Sequence, residues 1–244
     1  MVAGVGGTTS RFPDRVLRFL ERVEHRCAVT RAEKEAVYRL RYEAYIREGL
    51  IAPSADGQLY DEALDDTPNA WITTTFIDGE LACTVRVHVA ADEDSALPSL
   101  GAYADEITPY LRMRRTLVDL TRFAARVDFA RRFPELPYIA LRPGWQALEY
   151  FQADRALATV VEQHQAFYRR VFGFTPWTEP RDYPKFNFKV ACMGLDFRAA
   201  KERVEARYPF FLSTRAEREA LFGRRPRRTH ISASPEGWLR AMAG

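Results

Sequence analysis

The chain is 244 residues long, 47% hydrophobic and 28% charged, with a net charge of +3. That is enough apolar material for one large globular domain, and no run of about 18 apolar residues exists to span a membrane. Cys27, Cys83 and Cys192 lie far apart without a CxxC pair, which argues against a disulfide framework or a zinc site and fits a reducing, cytoplasmic compartment.

In chain order, "MVAGVGGTTSRFPDR" lacks the basic start and apolar middle of a secretory leader, and residues 1–10 read as unordered. Val16, Leu17, Leu20 and Val23 then recur at helical spacing. Thr30 and Glu33 form a capping-box pattern, opening a helix with Val37, Leu40, Ala44 and Tyr45 on one face and Arg41 beside it. Residues 51–70 hold Asp56, Asp61, Glu62, Asp65 and Asp66 with no Lys or Arg, and read as an acidic loop.

"AWITTTFIDGELACTVRVHVA" is the clearest hairpin, two β-rich runs around Asp78-Gly79. A strand follows at about 116–121, a helix from about 142, a strand at 155–161 and a helix at 162–174 that stops at Gly173. Another strand covers 186–197, and helix, break and helix end the chain. The order predicts a mixed α/β fold with a sheet of five to seven strands.

The strand at 116–121 poses the chemical question. Asp119, Thr121 and Arg122 interrupt an otherwise apolar run, and a buried carboxylate or guanidinium is costly unless paired. The sequence has no GxSxG, HExxH, Walker loop or GxGxxG after a strand, and its four histidines show no ligand spacing, so no metal is expected. His164 opens a helix and could face a cleft.

"VEQHQAFYRRVFGF" resembles the last helix and following strand of the Gcn5-related N-acyltransferase (GNAT) fold. That resemblance implies that Tyr168 protonates or hydrogen-bonds a departing thiolate; ordinary packing is its other reading. The Gly-rich pyrophosphate turn usual in the fold is missing, with no glycine from Glu106 to Pro143. The departure favours a donor carried on an acidic acyl carrier protein over acyl-CoA.

"YRLRYEAYI", "DDTPNAWI", "GELACTVRV" and "VDLTRFAAR" occur in the order seen in acyl-homoserine lactone synthases. The matching positions are Arg41, Tyr45, Asp66, Arg86, Asp119, Thr121, Arg122 and Phe123, with Asp and Thr where those enzymes have Glu and Ser. "HQAFYRRVFGF", "FKVACMGLDF" and "RYPFFLSTRAEREALFG" are instead similar to the FeeM-like N-acyl amino acid synthases. The resemblance implies a GNAT-type core at 30–197, with an N-terminal extension over 1–29 carrying one helix. A helical extension with a basic tail would occupy 198–244.

The activity it implies is transfer of a long-chain fatty acyl group from acyl carrier protein, or acyl-CoA, to an amino acid amine. Asp119 would accept the amine's proton directly or orient a water, with Thr121 supporting it. Arg41, Arg86 or Arg122 would bind the substrate carboxylate, in a site with Tyr45 and Asp66. Arg112, Arg114 and Arg115 would face the carrier. Alternatively Arg41, Asp66, Arg86 and Arg122 form a buried ion-pair network fixing the loop at 51–70. A lactone synthase using S-adenosylmethionine and another GNAT activity are the enzymatic alternatives. A degenerate carrier- or lipid-binding protein is a third. A nucleic-acid-binding role for the arginine clusters is disfavoured by the acidic loop.

Overall fold

The structure is a computed structural model and describes residues 12–183 and 189–223. Residues 1–11, the start of the strand expected at 186, His230 and the basic cluster after Gly223 lie outside the described residues. The sheet runs through β1 (Val23–Cys27), β2 (Ala70–Ile77), β3 (Glu80–Ala90), β4 (Leu117–Ala125), β5 (Arg155–Val160) and β8 (Lys189–Asp196). Two-residue strands β6 (Thr175–Pro176) and β7 (Arg181–Asp182) pair with β8, making eight strands among the described residues rather than five to seven.

The hairpin turn is as expected, with Asp78 and Gly79 both at positive φ. β1 through β4 are antiparallel; β4 and β5 are parallel. The helical expectation for Val23 fails, because Val23 opens β1 and pairs with Ile77. The sheet therefore starts before residue 30, inside the stretch expected to be an extension.

One face of the sheet carries α1 (Phe12–Leu20), α6 (Leu136–Tyr150), α7 (Glu162–Phe172), α8 (Phe197–Arg207) and α9 (Arg215–Phe222), packed around Trp145, Phe172 and Phe211. Gly144 lets α6 lie against β4: a Cβ there would sit 2.9 Å from both terminal methyls of Leu120. The other face carries α2 (Arg31–Arg47) and α4 (Leu100–Arg112). The Thr30–Glu33 capping box opens α2, which buries Val37, Tyr38, Leu40, Arg41, Ala44 and Tyr45. Leu97, Tyr103, Ile107 and Leu111 of the α4 segment pack on Leu117 and Leu157.

Two irregularities in β4 create the site. Pairing with β5 stops at Leu120 opposite Ala158, while β4 continues to Ala125 and β5 to Val160, so the strands splay. On its other side, β4 shifts register against β3 between Thr84 and Arg86. Arg122 takes up the slack of this bulge at φ 56°, a left-handed backbone that costs a side-chain-bearing residue about 1–2 kcal/mol.

Candidate active site

Alternation along β4 sends Val118 and Leu120 toward α6, and Leu117, Asp119 and Thr121 toward α2 and α4. Residues directly opposite across an antiparallel ladder share a face, so Arg86 stands beside Thr121 and His88 beside Asp119. A polar row thus lies in the middle of a buried sheet face. Arg86, His88 and Asp119 are each no more than 1% exposed.

Asp65 anchors this row. It ends α3 (Glu62–Asp65), a single turn within the stretch expected to be a loop. Its Oδ1 accepts from Arg41 at 2.8 Å and from Arg86 at 3.2 Å, and its Oδ2 accepts the Asp61 N–H at 2.8 Å. Burial pushes the Asp65 carboxyl up, but Arg41 and Arg86 outweigh it and leave the pKa well below the usual range. Burial lowers Arg86, with Asp65 opposing.

Arg86 also donates through Nε to Thr121 Oγ1 at 3.2 Å. Arg122 reaches Asp61 at 3.5 Å and stacks over the Tyr45 ring. His88 Nε2 lies 3.0 Å from the Leu64 carbonyl, which requires the proton on Nε2. Burial, then Arg86, lowers the His88 pKa to about 3, so the ring is neutral and ties α3 to the sheet.

Asp66 is not the residue in this network. It pairs with Lys34 at 2.5 Å and accepts from the Tyr60 hydroxyl at 2.8 Å, outside the row. The expected ion-pair network therefore exists, with Asp65 and Asp61 in the places expected for Asp66. Asp61 caps α3 in an extended conformation and Asp65 ends it, and the Asp61 N–H to Asp65 Oδ2 bond holds the two together.

Asp119 sits behind this row. It is fully buried, its Oδ2 accepts the Ser99 N–H at 2.9 Å, and it lines neither of the cavities described next. Direct contact with a substrate amine is thereby closed to it. Burial raises its pKa, with the Ser99 hydroxyl and N–H and the charge of Arg86 opposing. Thr121 does not support it; the Thr121 hydroxyl belongs to Arg86.

Two cavities meet at the bulge. The first, about 300 Å³, opens where β4 and β5 part, and is lined by Leu120, Phe123, Phe133, His164 and Tyr168. The second, about 330 Å³, lies over the polar row, lined by Asp61, Leu64, Arg86, Leu97 and Tyr183. Both are also lined by Tyr45, Thr121, Arg122 and Thr159, which form their common wall. His164 does face a cleft. Tyr168 borders the first cavity at 9% exposure and is also packed against Phe167 and Phe174, and burial raises its pKa. Thr159 and Ser99 were missed; a lone Thr in "RALATVV" carries no pattern of its own.

Arg112, Arg114 and Arg115 stand at the N-terminal end of β4, whereas the cleft opens at its C-terminal end. Arg112 pairs with Glu93 and Arg115 with Asp154. The arginines beside the cleft are Arg47, which lines it, and those flanking and ending α5 (Val127–Arg132), namely Arg126, Arg131 and Arg132. Among the described residues no cluster of His, Cys, Asp and Glu could hold a metal ion, and no helix is long and apolar enough to cross a membrane.

Comparison with known proteins places this geometry. FeeM, an N-acyl amino acid synthase from uncultured soil microbes, superposes with a TM-score of 0.65 at 18% identity, over 77% of this chain and 98% of FeeM. BjaI, a CoA-dependent acyl-homoserine lactone synthase solved with MTA, superposes with a TM-score of 0.51 at 17% identity, over 77% of this chain and 89% of BjaI. Its complex with SAM and isopentyl-CoA gives the same values. These likenesses show the fold, a GNAT-like mixed sheet flanked by helices. No curated protein sequence matches the chain. Residues 36–196 match the family of N-acyl amino acid synthase FeeM, and over that span, more than half its length, the chain belongs to this family of GNAT-fold N-acyltransferases.

Proposed function

We propose that the chain moves a long-chain fatty acyl group from acyl carrier protein to the α-amine of an amino acid by direct attack on the thioester. The observation that carries this reading is the common wall. A largely apolar cleft and a guanidinium-bearing cavity meet at Tyr45, Thr121, Arg122 and Thr159, so two substrates entering from opposite sides would react there.

The acyl thioester would occupy the cleft between β4 and β5, and the amino acid the second cavity. Arg122 would take the substrate carboxylate, since it lines both cavities at their common wall. Arg86 and Arg41 would hold Arg122's surroundings through Asp65 rather than bind substrate themselves. Tyr168, which borders the cleft, would donate a hydrogen bond to the departing thiolate; burial raises its pKa, so it keeps its own proton while doing so. Asp119 would be the final acceptor of the amine's proton.

A carrier donor is favoured over CoA because the segment leaving β4 has no glycine from Glu106 to Pro143 to cradle a pyrophosphate. An acidic carrier would meet the exposed Arg47, Arg131 and Arg132 near the cleft rather than the Arg112–Arg115 group. The test is purified protein with hexadecanoyl carrier protein or hexadecanoyl-CoA and a mixture of amino acids, read by mass spectrometry. N-acyl amino acid formed with higher kcat/KM from the carrier is the expected result. Lactone release from S-adenosylmethionine would move the assignment to the lactone branch, and the absence of any N-acyl product would end it.

A further inference from the structure

We propose that the proton leaving the attacking amine travels through two hydroxyls, Thr159 and then Ser99, to the carboxylate of Asp119. Thr159 is then the group that touches the substrate nitrogen, and Ser99 and Asp119 act behind it. The inference rests on the reading that an amine attacks a thioester at the common wall.

Asp119 is sealed from both cavities, so it needs a conductor to reach a substrate. The structure contains one. Thr159 lines both cavities, one residue beyond the last β4–β5 pair at Ala158. Its Oγ1 lies 3.0 Å from Ser99 Oγ, and either hydroxyl can be the donor. Ser99 is fully buried, its N–H donates to Asp119 Oδ2 at 2.9 Å, and its hydroxyl is near enough to oppose the rise in the Asp119 pKa. Asp119 Oδ1 is buried and accepts no hydrogen bond among the described residues. A carboxylate with an open acceptor position at the end of a hydroxyl chain is poised to receive a proton.

The other groups around Asp119 cannot take this part. His88, opposite on β3, is neutral and commits its Nε2 proton to Leu64. Arg86 has only protons to give. The Tyr183 hydroxyl donates to the Pro98 carbonyl at 2.7 Å, and burial raises both its pKa and that of the Cys192 thiol. Burial makes Asp119 a stronger base than an exposed aspartate.

In the step itself, the N–C bond forms as the thioester C–S bond breaks. The amine proton passes to Thr159 Oγ1, the Thr159 proton to Ser99 Oγ, and the Ser99 proton to Asp119. The thiolate leaves hydrogen-bonded to Tyr168 and takes its proton from water, and Asp119 returns its proton along the same chain to water.

Steady-state rates against pH, measured with hexadecanoyl carrier protein and the amino acid that the native enzyme acylates, test this. Thr159→Val and Ser99→Ala are each expected to lower kcat about 100-fold or more, with the amino acid KM changed less than about twofold. Both remove the acid limb of the kcat profile, because Asp119 is disconnected, and Thr159→Ser restores rate and limb. The double variant Thr159→Val with Asp119→Asn runs no slower than Asp119→Asn alone, since both act in one chain. Native-like kcat and acid limb in Thr159→Val, failure of Thr159→Ser to rescue, or additive losses in the double variant would overturn the relay while leaving the acyltransferase reading intact. A native enzyme that acylates no amine sinks that reading, and the relay with it.

Discussion

The sheet face under α2 and α4 buries two carboxylates that meet opposite fates. Asp65 receives two guanidiniums and a backbone N–H, and its pKa falls below the usual range despite burial. Asp119, on the same face, receives one backbone N–H and no guanidinium among the described residues, and its pKa rises. A buried carboxylate surrounded by fixed positive charge stays ionised and serves as a pivot for the backbone. One left short of positive charge holds a proton more readily, which is what a proton acceptor requires. The neighbours, not the residue type, divide structure from chemistry here.

The largest effect follows from breaking the pivot. Asp65→Asn leaves Arg41 and Arg86 buried without their common anion, and loss of one partner of a buried pair costs about 3–5 kcal/mol. Denaturant midpoints should show that loss. A variant that keeps its midpoint but loses turnover would mean Asp65, too, works in the chemistry.

Asp119→Asn should do the reverse. It keeps an acceptor for the Ser99 N–H and removes a buried charge, so the melting temperature holds or rises. Turnover falls about 10²- to 10⁴-fold. The pH signs differ as well. The depressed Asp65 contributes stability present above its unfolded pKa and lost as pH falls through the folded one. The raised Asp119 contributes stability present below its unfolded pKa and lost as pH rises through the folded one. A stability collapse in Asp119→Asn would place Asp119 in the structural network and erase the contrast.

The sequence made β2, β3, β5 and α7 legible, because their patterns are local: alternation around Asp78-Gly79, an apolar run, and a helix closed by Gly173 at φ 87°. It made the residue types of the site legible too, with Arg41, Tyr45, Arg86, Thr121 and Arg122 converging on the bulge. What it hid depends on tertiary contact. β1 is too short and polar to announce itself before β2 pairs with it. The choice between Asp65 and Asp66 turns on one helical turn among five acidic residues. Ser99 and Thr159 are 60 residues apart and meet only because α4 folds over β5.

A milder effect tests how firmly α3 is tied down. His88 is held neutral with a pKa of about 3 against an unfolded value near 6.5, so the unfolded chain binds its proton first as pH falls. The stability it supports is complete above about pH 6.5 and declines toward pH 3, at up to about 1.4 kcal/mol per pH unit. His25, lowered to about 3 mainly by burial, adds a decline over the same window. His88→Gln should flatten the acid side of the melting curve in part. An unchanged slope would mean His25 carries the whole effect.

The smallest effect separates Asp66 from Asp65 by chemistry alone, since the two are adjacent in the chain. Asp66 binds Lys34 and Tyr60 at the edge of α2 and lines neither cavity. Its ion pair is only partly exposed, and Asp66→Asn retains an acceptor for the Tyr60 hydroxyl. The expected cost is therefore about 1–3 kcal/mol, below that of Asp65→Asn because Asn still accepts from Lys34, with kcat and KM at native values. If Asp66→Asn instead abolishes turnover at native stability, the carboxylate controls access to the amino acid cavity through α3, and the division between pivot and bystander falls one residue later than the contacts place it.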